Sequence, residues 1–350
     1  MVQKLAPITA LAAALCAFAT PSWSADKGGA AWAPAPNAAD QAWKLPPVPM
    51  PKDNLSTPAR IELGQSLFFD PRMSGNGAMS CASCHNPSLG WSDGLKTAVG
   101  WGGQVLGRAT PTVMNTAYNT QFMWDGRKKS LEDQALGPMK TPQEMNTDFG
   151  VALGRLRGNM AYVAMFEKAY PGEGVNEETI AKAIAAFERT VVVNDSPFDR
   201  WLAGDQKALT MQQWRGYKLF TDAGKGNCAA CHSAPNFTDN GFHNIGIAKV
   251  GDGDPDPGRF GIKKVASMKG AFKTPGLRDI ELTAPYFRDG SAATLRDVVE
   301  HYVRGGDDKS NLSPTMKPLN LNEQEKDDLV AFMKALSGQR KPIAVPYLPQ

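Results

Sequence analysis

Two strings in this chain combine residues suited to one covalent chemistry: Cys81-Ala82-Ser83-Cys84-His85 and Cys228-Ala229-Ala230-Cys231-His232. In each, two thiols stand about one helical turn apart, so both reach the two vinyl groups of one porphyrin. The histidine that follows then lies beneath the iron as its proximal ligand. Cys-x-x-Cys alone also serves dithiol exchange or a four-cysteine zinc site. A histidine directly after each pair, in two copies, favours haem, with Cys81, Cys84, Cys228 and Cys231 as thioether sites and His85 and His232 as axial ligands. The chain has 5 cysteines, and Cys16 falls in an apolar leader, so none remains for a structural disulfide. Of its 4 histidines, only His243 and His301 are left for other roles. Each iron keeps one further axial position, and its occupant separates an electron carrier from a catalyst.

The leader sets the expected compartment. Met1 to Lys4 is basic, Leu5 to Thr20 is apolar, and Ser22-Trp23-Ser24 forms a small-x-small site before Ala25. This is the pattern of an export signal over residues 1–24, cleaved near Ser24 and Ala25, and it predicts a periplasmic protein. Leu15 before Cys16 is not the small residue of a lipoprotein site. No later stretch is apolar for the ~20 residues a bilayer requires, so no membrane insertion is expected. A net charge of +3 over 350 residues argues against nucleic acid as a partner.

The elements that must position the two motifs are mainly helical. Residues 25–55 are rich in Ala, Pro and Gly and read as an extended strap. Thr57-Pro58 looks like a cap and first-turn proline for a helix whose face is Ile61, Leu63, Leu67 and Phe68. Thr210 and Gln213 form a capping box before Trp214, Tyr217, Leu219 and Phe220. Gly64-x-x-Leu67-Phe68 repeats as Gly216-x-x-Leu219-Phe220, and His85 to Trp91-Ser92-Asp93-Gly94 parallels His232 to Phe237-Thr238-Asp239. Residues 176–203 contain a strong helical stretch (Ile180, Ala183, Ile184, Phe187) that ends in Asn194-Asp195-Ser196-Pro197. Other helical runs are expected at 129–137, 151–169, 294–303 and 323–336, with few short strands and long irregular loops such as Gly251 to Gly258. The reading is two cytochrome c-like haem domains, 56–204 and 205–350.

Additional strings carry a family likeness. Leu67-Phe68-Phe69-Asp70-Pro71-Arg72 precedes the first motif, Trp124-Asp125-Gly126-Arg127 follows it, and Gly137-Pro138-Met139 leads to Glu144-Met145. Ser196-Pro197-Phe198-Asp199 and Leu277-Arg278, running on to Ala284-Pro285-Tyr286-Phe287, complete the set. With these, nearly all of the mature chain resembles the bacterial di-haem cytochrome c peroxidase / MauG family. The resemblance implies two covalently bound haem c groups, an N-terminal haem that meets hydrogen peroxide and a C-terminal haem that takes in electrons. It implies catalytic roles for Glu144 and Gln134 in the distal pocket and for Trp124 between the haems. A carboxyl at Glu144 can take a proton from the near oxygen of peroxide and return it to the leaving oxygen.

The sequence departs from the family pattern at informative places. Many members close the resting first iron with a histidine in Val-Gly-His-Gly, whereas this chain reads Val99-Gly100-Trp101-Gly102. Tryptophan cannot ligate iron, so this haem is expected to be open. At the second iron the usual methionine is replaced by Tyr302, an anionic oxygen donor that lowers the potential. Helical spacing agrees, because Leu295, Val298, Val299, Tyr302 and Val303 share one face while His301, the runner-up ligand, points elsewhere. His243 matches a histidine near the second haem, where it would bond a propionate or the axial tyrosine. Family members also bind calcium between the haems; its carbonyl ligands would be those of Thr283 and Pro285, but Ala109 stands at the asparagine position, which counts against the ion.

Three functions compete. The first is a periplasmic peroxidase that reduces hydrogen peroxide to water with electrons from a small cytochrome c or copper protein. The second is a MauG-like enzyme that uses peroxide to oxidise Tyr or Trp residues of a protein partner, storing two oxidising equivalents across both haems. The third is a non-enzymatic carrier, which needs Met73, Met79, Met139 or Met145 to close the first iron. Family members are often homodimers.

Overall fold

Most helices begin at a residue whose side chain caps the first turn. Ser130 accepts from Asp133 N at 3.1 Å, Asn176 from Thr179 N at 2.9 Å and Thr210 from Gln213 N at 3.2 Å, with Gln213 reaching back to Thr210 N. The computed structural model describes residues 32–248, 255–339 and 343–350. The expected export signal, residues 25–31 of the strap and residues 251–254 of the Gly251–Gly258 loop lie outside the described residues. In chain order the α-helices are α1 (Pro58–Phe69), α2 (Cys81–Cys84), α3 (Leu131–Lys140), α4 (Phe149–Arg157), α5 (Met160–Ala169), α6 (Glu177–Glu188), α7 (Pro197–Leu202), α8 (Met211–Thr221), α9 (Phe260–Lys263), α10 (Leu295–Val303) and α11 (Glu323–Lys334). The one sheet among the described residues pairs β1 (Phe242–His243) antiparallel with β2 (Phe272–Lys273). The architecture is mainly α, as expected.

Two apolar cores hold these elements. The first gathers Leu63, Leu67 and Phe68 of α1 with Tyr162 and Phe166 of α5 and Ile180, Ile184 and Phe187 of α6. The second gathers Phe198 and Trp201 of α7, Tyr217 and Phe220 of α8, and Phe332 of α11. A cap contributes about 1 kcal/mol, whereas each fully buried Leu or Phe contributes about 1.5–3 kcal/mol. The crossings between helices therefore outweigh the caps. Both crossings need glycine: a Cβ on Gly64 would stand 1.9 Å from Ala183 O, and one on Gly216 would stand 1.9 Å from Asp328 O. The repeat seen in the sequence is thus a repeat of α1 on α6 and of α8 on α11.

Three expected elements are revised. The run 151–169 is two helices, because Asn159 breaks it and caps α5 by accepting from Ala161 N and Tyr162 N. The stretch within 176–203 ends at Glu188, ahead of the expected stop at 194–197, and a separate helix, α7, follows where Ser196 caps Asp199 N. The strap includes a 3-10 turn, Asp40–Trp43. Trp43 is buried in the second core against Phe237, and Asp40 accepts from the Tyr217 hydroxyl at 2.7 Å. Farther along, Asn54 donates to Lys182 O and Glu132 of the first half. The strap ties the two cores together.

Candidate active site

Each Cys-x-x-Cys-His string forms one tight turn. His85 N donates to Cys81 O and His232 N to Cys228 O, both at 2.8 Å. The rings are then oriented from behind: His85 Nδ1 donates to Trp91 O at 3.2 Å, and His232 Nδ1 donates to Phe237 O at 3.0 Å and Pro275 O at 3.1 Å. Those carbonyls are aimed by left-handed backbone at Trp91 (φ 59°) and Phe237 (φ 55°). With Nδ1 carrying the proton, Nε2 is the free ligand nitrogen in both rings. Burial lowers both imidazole pKa values, favouring the neutral ring that iron requires. All four motif cysteines are free thiols here, and they stand for thioether sulfurs in the mature protein. Burial pushes Cys81 and Cys228 up to about 12 and Cys84 up to about 11. Thiols held protonated are poor for dithiol exchange or zinc thiolate binding.

One continuous cavity joins the two histidines, its wall including His85, Gln134, Trp124, His232, Tyr302 and Met316. Free Nε2 atoms, adjacent thiols and a mainly apolar wall fit two c-type haems. Trp124 lines the same cavity, and its Nε1 donates to Ala109 O at 2.8 Å. Its turn is braced by charge. Arg108 pairs with Asp125 at 2.7 Å and Asp256 at 2.8 Å, and Arg127 also pairs with Asp125 at 2.8 Å. Burial alone would raise Asp125, but the two guanidiniums outweigh it and hold the carboxyl below its usual range. Arg259 donates to Asp125 O and Gly126 O at 2.8 and 2.7 Å. Gly126 (φ 66°) is required, since a Cβ there would stand 2.2 Å from Phe242 Cζ.

On the His85 side, Gln134 of α3 lines the cavity, while Glu144 lies off its wall in the turn after α3. Glu144 is held against the Val99–Gly102 loop: Trp101 N donates to Gln143 O at 3.1 Å, and Gly100 packs so closely there that a Cβ would meet Gln143 O at 2.0 Å. The same loop receives Cys84, whose Sγ is 3.8 Å from Val99 O. Burial raises the Glu144 carboxyl and Arg127 partly opposes it. Trp101 is 36% exposed. None of Met73, Met79, Met139 and Met145 lines the cavity; Met73, Met139 and Met145 are buried in the first core.

On the His232 side, Tyr302 lines the cavity with Leu295, Val298 and Val299, and burial pushes its phenol up. His301 is buried behind α10 with both nitrogens engaged, at 3.1 Å from Asp307 and 2.8 Å from Ile245 O, leaving none for iron. His243 pairs with Asp239 at 2.7 Å. The Cys231 sulfur and Asp239 hold it up to about 9 despite burial; as a thioether, that sulfur drops out and Asp239 remains. Thr283 and Pro285 line the same cavity as Ala109.

The places of four residues at the site escaped the sequence reading. Pro138 stands eight residues past the α3 cap Ser130, as Tyr302 stands eight past the α10 cap Thr294. Glu188 is 5% exposed, faces the cavity and has an oxygen without a hydrogen-bond partner. Lys273 and Arg288 bring positive charge to the cavity wall. Carrying the internal repeat past the haem motifs, cap against cap, was the signal that finds Pro138 and Arg288.

Comparison with known proteins agrees with this geometry. Residues 58–207 match the di-haem cytochrome c peroxidase family, and residues 214–337 match cytochrome c. The chain is 46% identical over 303 residues to the methylamine utilization protein MauG of Methylorubrum extorquens, covering 86% of this chain and 85% of that protein. It is 36% identical over 357 residues to the cytochrome c551 peroxidase of Pseudomonas aeruginosa, covering 99% and 96%. A crystal structure of a MauG-like protein associated with microbial copper homeostasis superposes with a TM-score of 0.79 at 32% identity, over 84% of this chain and 94% of that one. With its paired histidine-thiol turns opening on one shared cavity, the chain belongs to the di-haem cytochrome c peroxidase and MauG family of oxidoreductases and carries two covalently bound haem c groups.

Proposed function

We propose that the chain is an exported peroxidase in which hydrogen peroxide is handled on the His85 side and electrons enter on the His232 side, from a small cytochrome c or copper protein. The observation that carries this assignment is the unequal residue at equivalent places on α3 and α10. Pro138 has no atom that can ligate iron, whereas Tyr302 has a phenol oxygen on the cavity wall. Two bound haems supply the redox chemistry; the chain's own residues supply protons, position and connection. Glu144, whose carboxyl burial raises, takes a proton from the near peroxide oxygen and returns it to the leaving oxygen. Gln134 offers an amide to orient peroxide at the cavity wall. Trp124, pinned by Ala109 O on the wall of the shared cavity, serves as the electron relay. Among the described residues no helix is long and apolar enough to cross a membrane, and the leader pattern supports a periplasmic site of action.

Low-temperature electron paramagnetic resonance of the resting ferric protein tests this. A high-spin component that changes on peroxide addition, together with rapid turnover of reduced cytochrome c, is the expected result. Two low-spin signals with no high-spin component overturn it.

A second reading, MauG-like oxidation of Tyr or Trp residues in a protein partner, is favoured by Tyr302 and by the 46% identity to a protein named MauG. It uses the same site and differs in the reductant. Slow turnover of cytochrome c, with peroxide-dependent mass changes at Tyr or Trp of a co-purifying protein, selects it.

A further inference from the structure

The calcium ion that the family resemblance puts between the haems does not fit the residues present. Ala109, at the asparagine position, is 7% exposed and offers no side-chain oxygen. Calcium takes 6–8 oxygen ligands, and the carbonyls of Thr283 and Pro285 leave that count short. The one cluster of metal-ligating side chains found among the described residues is Cys231, Asp239 and His243, whose sulfur belongs to a haem attachment site. Glu188 is the one carboxylate on the described cavity wall, and its charged neighbours are Arg189 and Glu132.

Positive charge stands there instead. Arg288 lines the same cavity as Ala109, Thr283 and Pro285, and its carbonyl accepts from Ala109 N at 2.6 Å. Its guanidinium lies 4.5 Å from the centre of the Phe272 ring, and it makes no hydrogen bond or ion pair among the described residues. Asp289 and Asp256 are within electrostatic reach, but Asp289 accepts from Ser291, and Arg108 engages both oxygens of Asp256 at 2.8 and 2.9 Å. Lys273, 7% exposed, also lines the cavity, and its ammonium donates to Thr274 O at 2.9 Å. Burial pulls Lys273 down to about 8.

The repeat explains how these residues meet. Arg288 occupies in the second half the place that Trp124 occupies in the first, and Lys273 the place of Ala109. The two pairs exchange reciprocal backbone bonds, Ala109 N to Arg288 O at 2.6 Å and Lys273 N to Trp124 O at 2.8 Å. Lys273 is buried and Arg288 partly so, and no carboxylate hydrogen-bonds to either; cations placed in this way are costly until an anion arrives. Each haem brings two propionate carboxylates.

We propose that Arg288, assisted by Lys273, is a built-in cation that binds haem propionates between the two haems in place of calcium, so that this chain works without the ion. The assignment does not depend on which haem meets peroxide.

The test uses the fully haem-loaded protein. Elemental analysis should find calcium far below stoichiometric, and a chelator should leave the optical and paramagnetic spectra unchanged. Arg288→Met should lower the midpoint potential of a haem, because loss of a nearby positive charge favours the ferric state, and Arg288→Lys should restore most of the shift. Lys273→Met should give a smaller shift in the same direction and serves if Arg288→Met loads haem poorly. Stoichiometric calcium whose removal alters the spectra overturns the proposal. So do unchanged potentials in whichever of the two methionine variants loads haem.

Discussion

The His85 half and the His232 half share a frame and part company at a few positions. In both, a glycine lets one helix cross another: Gly64 against Ala183 and Phe187, Gly216 against Asp328 and Phe332. In both, a left-handed aromatic residue turns its carbonyl onto the proximal histidine. Against this constancy, Pro138 faces Tyr302 across the repeat, Trp124 faces Arg288, Ala109 faces Lys273, and Glu188 faces Met333. None of these exchanges disturbs a crossing or a cap, so the halves can diverge in chemistry while the frame stays intact.

The sharpest way to break the comparison is at the proton-handling group proposed for the first half. Glu144→Gln keeps the shape of the side chain and removes its acid. It should lower kcat/KM for peroxide by about 10²–10⁴-fold, with the resting spectrum unchanged. Stopped-flow mixing with peroxide measures this, and a loss below tenfold would remove Glu144 from the mechanism.

Next in size are the exchanges at the position eight residues past each cap. Pro138→Tyr gives the first half the oxygen ligand of the second, and should convert the high-spin ferric signal to low spin and suppress the reaction with peroxide. Tyr302→Phe should do the reverse, opening the second iron and adding a high-spin signal. If neither spectrum moves, the two positions are not axial.

The frame itself predicts equal damage in both halves. Gly64→Ala and Gly216→Ala each drive a methyl into a carbonyl 1.9 Å away, and overpacking of this kind costs about 1–3 kcal/mol or more. Thermal unfolding should show similar losses for the two variants. A loss in one and none in the other would mean that the crossings are not equivalent.

What could be read from the sequence was local. The haem strings, the Thr57 and Thr210 caps and the apolar faces of α1 and α10 each depend on residues within a few turns. The break at Asn159 was hidden because Leu156, Tyr162 and Phe166 continue the apolar pattern across it, while the cap that splits the run is a single side chain. Arg288 and Lys273 carry no motif; their meaning arises where the halves exchange backbone bonds, which no window of sequence contains. His301 looked like a spare ligand until Ile245 O and Asp307, from outside α10, were seen to engage both its nitrogens.

A pH-dependent difference between the halves concerns Glu188, whose counterpart Met333 does not titrate. Burial pushes the Glu188 carboxyl up to about 8 from 4.5, with Arg189 opposing and Glu132 adding to the rise. The folded protein therefore keeps a proton that the unfolded chain loses between those values. Stability from this residue is full below pH 4.5 and is lost as pH rises through 8. Glu188→Gln cannot ionise, so its stability should fall less from pH 5 to pH 9 than that of the parent chain, by roughly 1–4 kcal/mol. Denaturation midpoints across that range, measured on both haem-loaded proteins, check this. Parallel curves would mean that the Glu188 carboxyl is already ionised in the folded state, and that the haem pocket supplies it with a partner that Met333 does not need.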